Sequence, residues 1–420
     1  MTRSAFIWST LGFAAAGFAA GTILHPVSLP KQWPSLNTLP PRDSAKAAEL
    51  AFQKCSGSPE ATKHSCYEAQ LLPVATARGP KAALAELQQL TTLDHEVLVT
   101  GHEFAHAIGI AAYDAHPDVK TTFPQCSEIF QSGCYHGVIQ AFFLRAGTDD
   151  STAVRAICAP WTVAGVYGWL RFQCVHGLGH GLTMRFDHDL PAALLKCDLL
   201  LERWDRDSCY GGAFMENIMD ATQPPVAMAM ADMPGMHDPA KPKYKQIDRN
   251  EPAYPCSQLP ARYQESCWTN QVSVLFYLND GDVARTARGC DRAPAKYVHW
   301  CFLGLGTDIN GRTLRDGPAA LALCDKASAV GRPWCYAGVA KNRVEDNAKF
   351  ESGMTFCRLV TSHDGKLRCY EAVGEEVASL SPVTAERERM CAPAEQAYMD
   401  ACLFGARVNA KPPAGLVDPD

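Results

Sequence analysis

Eighteen cysteines stand along this chain in nine close couples, and no other feature restricts its fold as much. The couples are Cys55 with Cys66, Cys126 with Cys134, Cys158 with Cys174, Cys197 with Cys209, Cys256 with Cys267, Cys290 with Cys301, Cys324 with Cys335, Cys357 with Cys369, and Cys391 with Cys402. None is left over. An even count at near-neighbour spacing marks a disulfide framework and an oxidising compartment. The second member of each couple sets a period: from Cys267 to Cys301, Cys335 and Cys369 each step is 34 residues, and the step to Cys402 is 33. The strings that begin there, CYHGV, CVHGL, CYGGA, CFLGL, CYAGV and CLFGA, all carry an aromatic or apolar second residue and a glycine at the fourth. One small, tightly packed unit is being repeated, and each bridge adds ~2–3 kcal/mol by closing a short loop.

A 34-residue period without alternating strand patterns is the length of a helix-turn-helix unit. The pattern resembles the cysteine-rich cousins of tetratricopeptide repeats, in which a disulfide joins the end of one unit's second helix to the start of the next unit's first helix. That resemblance covers nearly all of residues 50 to 410 and implies an all-α solenoid of about nine to ten repeats. It rests on period and cysteine placement, and no function comes with it.

A chain of 420 residues with 47% hydrophobic content can bury a large core. Its net charge of -6 offers no basic stripe, which argues against nucleic acid as a partner. After Arg3, residues Ala5 to Leu24 are uncharged, and a proline-rich stretch runs from Pro26 to Pro41. The expectation is a signal anchor at 1–25, a single pass of the inner membrane, and a tether at 26–48 that holds the body in the periplasm, with a cleaved signal peptide as the alternative. The body then divides into N-terminal repeats at 49–217, a methionine-rich insertion at 218–250 and C-terminal repeats at 251–420.

Laying the period over the N-terminal half isolates a pattern. Thirty-four residues before Cys134 stands Thr100, so one unit has lost its cysteines and kept its phase. Two and six positions after this slot are His102 and His106; the next units have His136 and Gln140, then His176 and His180. In the C-terminal units the same positions hold Thr269 and Ser273, Leu303 and Thr307, Ala337 and Lys341, and Glu371 and Glu375. Residues four apart share a helix face, and stacked helices of a solenoid line one wall, so five imidazoles should meet in one space. Histidine nitrogens in such number point to a transition metal.

Two carboxylates join them. Glu103 stands where other units have Gly or Ala, and Glu216, in CYGGAFMEN, lies one helix beyond. Both are candidates for catalysis, and Glu216 also for ligation. The string Gly101-His102-Glu103-Phe104-Ala105-His106 contains H-E-x-x-H, which resembles the motif of zinc peptidases, where two histidines bind Zn and the Glu is a general base. Ala112 stands where a metzincin's third histidine would be, and Glu128 is a possible third ligand. HEFAHAIG also resembles the His-Glu helices of helical-repeat diiron hydroxylases of the deoxyhypusine hydroxylase type, which implies a dinuclear centre. This chain departs from that pattern at Gly137 and Gly177, which follow His136 and His176 and would leave room for a substrate or a second metal.

The insertion holds Met219, Met228, Met230, Met233, Met236 and His237, a composition that suits copper or a lid over the groove. The C-terminal units read as scaffold or as a surface for a protein or peptide partner, with Glu371, Glu375 and Glu376 on a solvated face. The favoured function is a metalloenzyme with a mono- or dinuclear Fe or Cu centre doing oxidative chemistry. A zinc hydrolase and a non-enzymatic metal-binding or scaffold protein are the alternatives.

Overall fold

Aspartate starts the short helices of the repeat. The side chains of Asp189, Asp282 and Asp316 accept hydrogen bonds from the backbone N–H of Ala192, Arg285 and Ala319, satisfying donors that a first helical turn leaves open. The helices they open, Leu190–Cys197, Val283–Cys290 and Gly317–Cys324, each end on the first cysteine of a bridge. In each case the second cysteine lies in the following, longer helix. All nine couples close as paired from the sequence, with Cα atoms 5.4 to 5.7 Å apart. The body therefore belongs to an oxidising, extracytoplasmic compartment.

This computed structural model describes residues 43–146, 150–162, 168–222 and 243–416. The expected anchor and nearly all of the tether lie outside these residues, as do Met228, Met230, Met233, Met236 and His237 of the insertion. Among the described residues there is no strand, and no helix is long and apolar enough to cross a membrane.

The longer helices form the inner row of the solenoid. They are α1 (Glu60–Arg78), α2 (Gly101–Ala115), α3 (Gly133–Ala146), α4 (Trp169–Arg185) and α5 (Arg203–Thr222) in the N-terminal half. In the C-terminal half they are α6 (Gln264–Leu278), α7 (Val298–Arg312), α8 (Arg332–Glu345), α9 (His363–Leu380) and α10 (Met399–Gly405). Each packs on the next. An all-α solenoid of ten stacked units follows, as the period implies.

Glycine sets how closely the row is spaced. A Cβ at Gly137 would lie 2.1 Å from the His106 carbonyl oxygen, one at Gly212 2.0 Å from that of His176, and one at Gly338 1.9 Å from that of Leu303. Backbone fills the place of a side chain, so positions two and six of adjacent helices are drawn together. The room expected beside Gly137 and Gly177 for a substrate or second metal does not exist: a Cβ at Gly177 would meet His136 Cα at 3.1 Å.

Candidate metal centre

Close spacing of α2, α3 and α4 brings five imidazoles into one cluster. His102, His106 and His136 offer ligand atoms within 4.8 Å of one another, and so do His136, His176 and His180. His136 is common to both triads. Ring centroids of His106 and His180 stand 5.4 Å apart, and those of His136 and His176 4.9 Å. The phase argument is met for all five residues, and His136 offers a third ligand atom beside His102 and His106.

The tautomers can be read from what lies behind each ring. His102 Nδ1 is 2.8 Å from the Phe130 carbonyl oxygen, and His106 Nδ1 is 2.8 Å from Gln140 Oε1. Gln140 Nε2 donates to Glu216 Oε2 at 3.2 Å, which fixes the amide with its oxygen toward His106. Both Nδ1 atoms face acceptors and therefore carry the hydrogens, leaving a lone pair on each Nε2. Those two Nε2 atoms are 3.0 Å apart. Lone pairs do not approach so closely unless a cation lies between them. Two nitrogens held by one ion would stand about 3.0–3.4 Å apart, so these two residues would suit a shared cation.

A proton is the other cation available, and burial disfavours it. Burial pushes the His102 imidazolium down to about 4. His106, His136 and His176 lie well below the ordinary value, through burial first and the charge of neighbouring histidines second. At neutral pH these four rings are neutral donors.

The remaining rings follow the same plan. His136 Nε2 is 3.0 Å from Gln173 Oε1, and its Nδ1 is buried without a hydrogen bond. His180, with no exposed surface, has Nδ1 2.8 Å from Glu216 Oε2, and its Nε2 is likewise unbonded. His176 bonds the Ser208 backbone. Orphaned inward nitrogens with acceptors behind them are the construction expected of metal ligands.

Glu216 comes to the cluster from α5 as predicted, but through His180 and Gln140. Burial works against its charge, yet hydrogen bonds from His180 and from His188 hold its carboxyl far below the usual range. Glu103 turns elsewhere. Burial raises its carboxyl, and its electrostatic neighbours are His64 and Glu68 of α1. It does border, with His102, Met215 and Met219, a cavity of about 870 Å³. Across that cavity stand Ser273, Asp308, Arg312 and Arg315 of the C-terminal repeats, so the solenoid curls until its halves face each other.

Glu68 escaped notice in the sequence. Its side chain is fully buried, neither oxygen accepts a hydrogen bond, and His64 Nε2 stands 3.5 Å from Oε1. It occupies the second position after Cys66, the phase of His102, His136 and His176, which was the signal available. The C-terminal glutamates need a correction as well. Glu371 is 7% and Glu376 8% exposed, because Arg368 bonds the first and Lys341 the second across the groove wall; only Glu375 keeps a half-exposed side chain.

No family model, curated protein or solved structure matches this chain.

Proposed function

We propose that the chain is an extracytoplasmic metalloenzyme whose five-histidine centre holds one or two transition ions and performs oxidative chemistry on a substrate in the adjoining groove. The observation that carries this is the 3.0 Å approach of two unprotonated Nε2 atoms, His102 and His106. The inward donors are all imidazole, with the nearest carboxylate, Glu216, one hydrogen bond behind. That set suits copper better than a diiron pair, which leans on carboxylate ligands. When bound, such an ion would supply one-electron exchange. The protein's own part is to fix tautomers through Phe130, Gln140, Gln173 and Glu216, and to leave His102 half-buried beside the groove.

A second reading, a zinc hydrolase, is favoured by one observation: Glu103 borders the same cavity as His102. There His102, His106 and His136 suffice as ligands and Glu103 takes the proton from the nucleophile. Metal analysis of the oxidised, periplasmically expressed chain separates the two. Copper that falls in His176→Ala and disappears in His136→Ala supports the oxidative centre; one zinc retained in full in His176→Ala, with activity lost in Glu103→Gln, supports the hydrolase; no bound metal dismisses both. The uncharged run from Ala5 to Leu24 supports anchoring in the inner membrane, and fractionation with and without residues 1–25 tests it.

A further inference from the structure

Four of the eight tryptophans, Trp169 and Trp204 from α4 and α5 and Trp300 and Trp334 from α7 and α8, turn half-buried rings toward a second cavity of about 780 Å³. Rings of this size usually cover core surface. Here they make two facing groups. Phe172 lies 6.4 Å from Trp169 and 5.8 Å from Trp204 by ring centroids, and His299 lies 5.1 Å from Trp300 and 4.9 Å from Trp334.

The rest of the lining is charged and unbalanced. Lys341 Nζ stands 2.8 Å from Glu375 Oε2 and 2.7 Å from Glu376 Oε1, and Arg368 pairs with Glu371 at 2.5 Å. Glu345 adds a fourth carboxylate and Arg407 a third cation, which leaves one carboxylate in excess. Its carboxyl is pushed up to about 7 by burial and by the charge of Glu376. Ring faces carry negative electrostatic potential, so rings and carboxylates here ask for the same thing. The chamber already holds such a contact, with the Arg368 guanidinium 3.9 Å from the Trp334 ring centroid.

We propose that this chamber binds an organic cation, an ammonium or guanidinium group carried on an apolar body. The rings strip water from the apolar body and face the charge, and the one carboxylate in excess balances it. Phe172 also lies 5.5 Å from the His176 ring, so an occupant sits one side chain away from the histidine cluster. That the occupant is turned over there rests on the metalloenzyme reading; that it binds does not.

The test uses the metal-free full chain, so that failure of the metal reading leaves it intact. Tryptophan fluorescence and calorimetry would be followed during titration with choline and with 3,3-dimethylbutanol, its uncharged carbon isostere. Choline is expected to saturate, with the isostere about tenfold weaker or worse. Trp300→Ala and Glu376→Gln should each weaken choline about five- to tenfold, while Trp300→Phe, which keeps a ring, stays within about threefold. Circular dichroism confirms that the variants fold. Equal affinity for the isostere, no saturation by choline, or unchanged affinity in both Trp300→Ala and Glu376→Gln would overturn the proposal.

Discussion

The two halves of the solenoid share one backbone device and fill it with opposite chemistry. In both, residues about 34 apart meet across adjacent inner helices. In the C-terminal half these meetings close on themselves. Ser273 donates to Asp308 at 2.9 Å, Asn310 donates to Asn342 at 2.9 Å, and Lys341 pairs with Glu375 at 2.8 Å. In the N-terminal half the partner is an acceptor set behind an imidazole, as in His106 with Gln140 and His180 with Glu216. Each such bond commits one ring nitrogen and leaves the other as a lone pair aimed at its neighbours. The scaffold is thus indifferent to chemistry. What differs is whether a donor meets an acceptor and both are spent, or an acceptor turns a donor into a ligand.

Breaking the shared ring of the two triads should erase that contrast most completely. His136→Ala is expected to remove all bound metal by plasma mass spectrometry, while His102→Ala leaves the His136, His176 and His180 set able to retain some. Equal retention by both variants would mean that the triads do not share a centre.

Glycine substitutions sharpen the comparison, since the spacing is common to both halves. A Cβ at Gly212 or Gly338 meets a carbonyl oxygen at 2.0 or 1.9 Å, so Ala at either site should cost about 1–3 kcal/mol in denaturant unfolding. Only Gly212→Ala should also lose metal, because it displaces α5, which carries Glu216, from His180. Matching metal loss in Gly338→Ala would show the halves to be coupled more tightly than their separate pairings suggest.

A smaller effect isolates the bonds behind the rings. Glu216→Gln keeps the shape but removes the charge that holds the His180 tautomer, and metal affinity should fall about 10- to 100-fold by competition titration, with the fold unchanged. No change would reduce Glu216 to packing.

The bridges, the period and the five histidines were legible because each repeats at a fixed interval, and a repeat places residues without any knowledge of overall shape. What lay hidden depends on how the row curls. Glu371 and Glu376 look like a solvated charge run along α9, and nothing in a period of 34 tells that α9 closes a chamber with α4 and α5. A weak sign was present: Trp300, Trp334 and Arg368 all stand one position before the second cysteine of their units, a column of the repeat as regular as the histidines. Glu68 was missed because its phase was right but its residue type differed. Glu103 was placed by its motif, yet a residue one step along a helix from His102 turns about a quarter of the way round, toward α1.

The mildest prediction concerns the C-terminal half alone, where Glu345 lies buried beside Asn342, Lys341 and Glu376. Its carboxyl titrates at about 7 in the folded chain against an ordinary 4.5, owing to burial and the neighbouring charge of Glu376. A group whose folded value is raised favours the native state while protonated in it. Its contribution is therefore full below pH 4.5 and is lost as pH rises through 7. Glu345→Gln carries no such proton and should remove this part of the pH dependence. Thermal melts at pH 5 and pH 8 check it: the wild type should lose more of its Tm between the two than the variant does. Parallel losses would mean that Glu345 stays charged at both pH values, with Lys341 neutralising it. Because the residue lies in α8 and far along the chain from the histidines, the metal content of the variant should match the wild type, so this substitution touches the groove wall of one half and leaves the chemistry of the other in place.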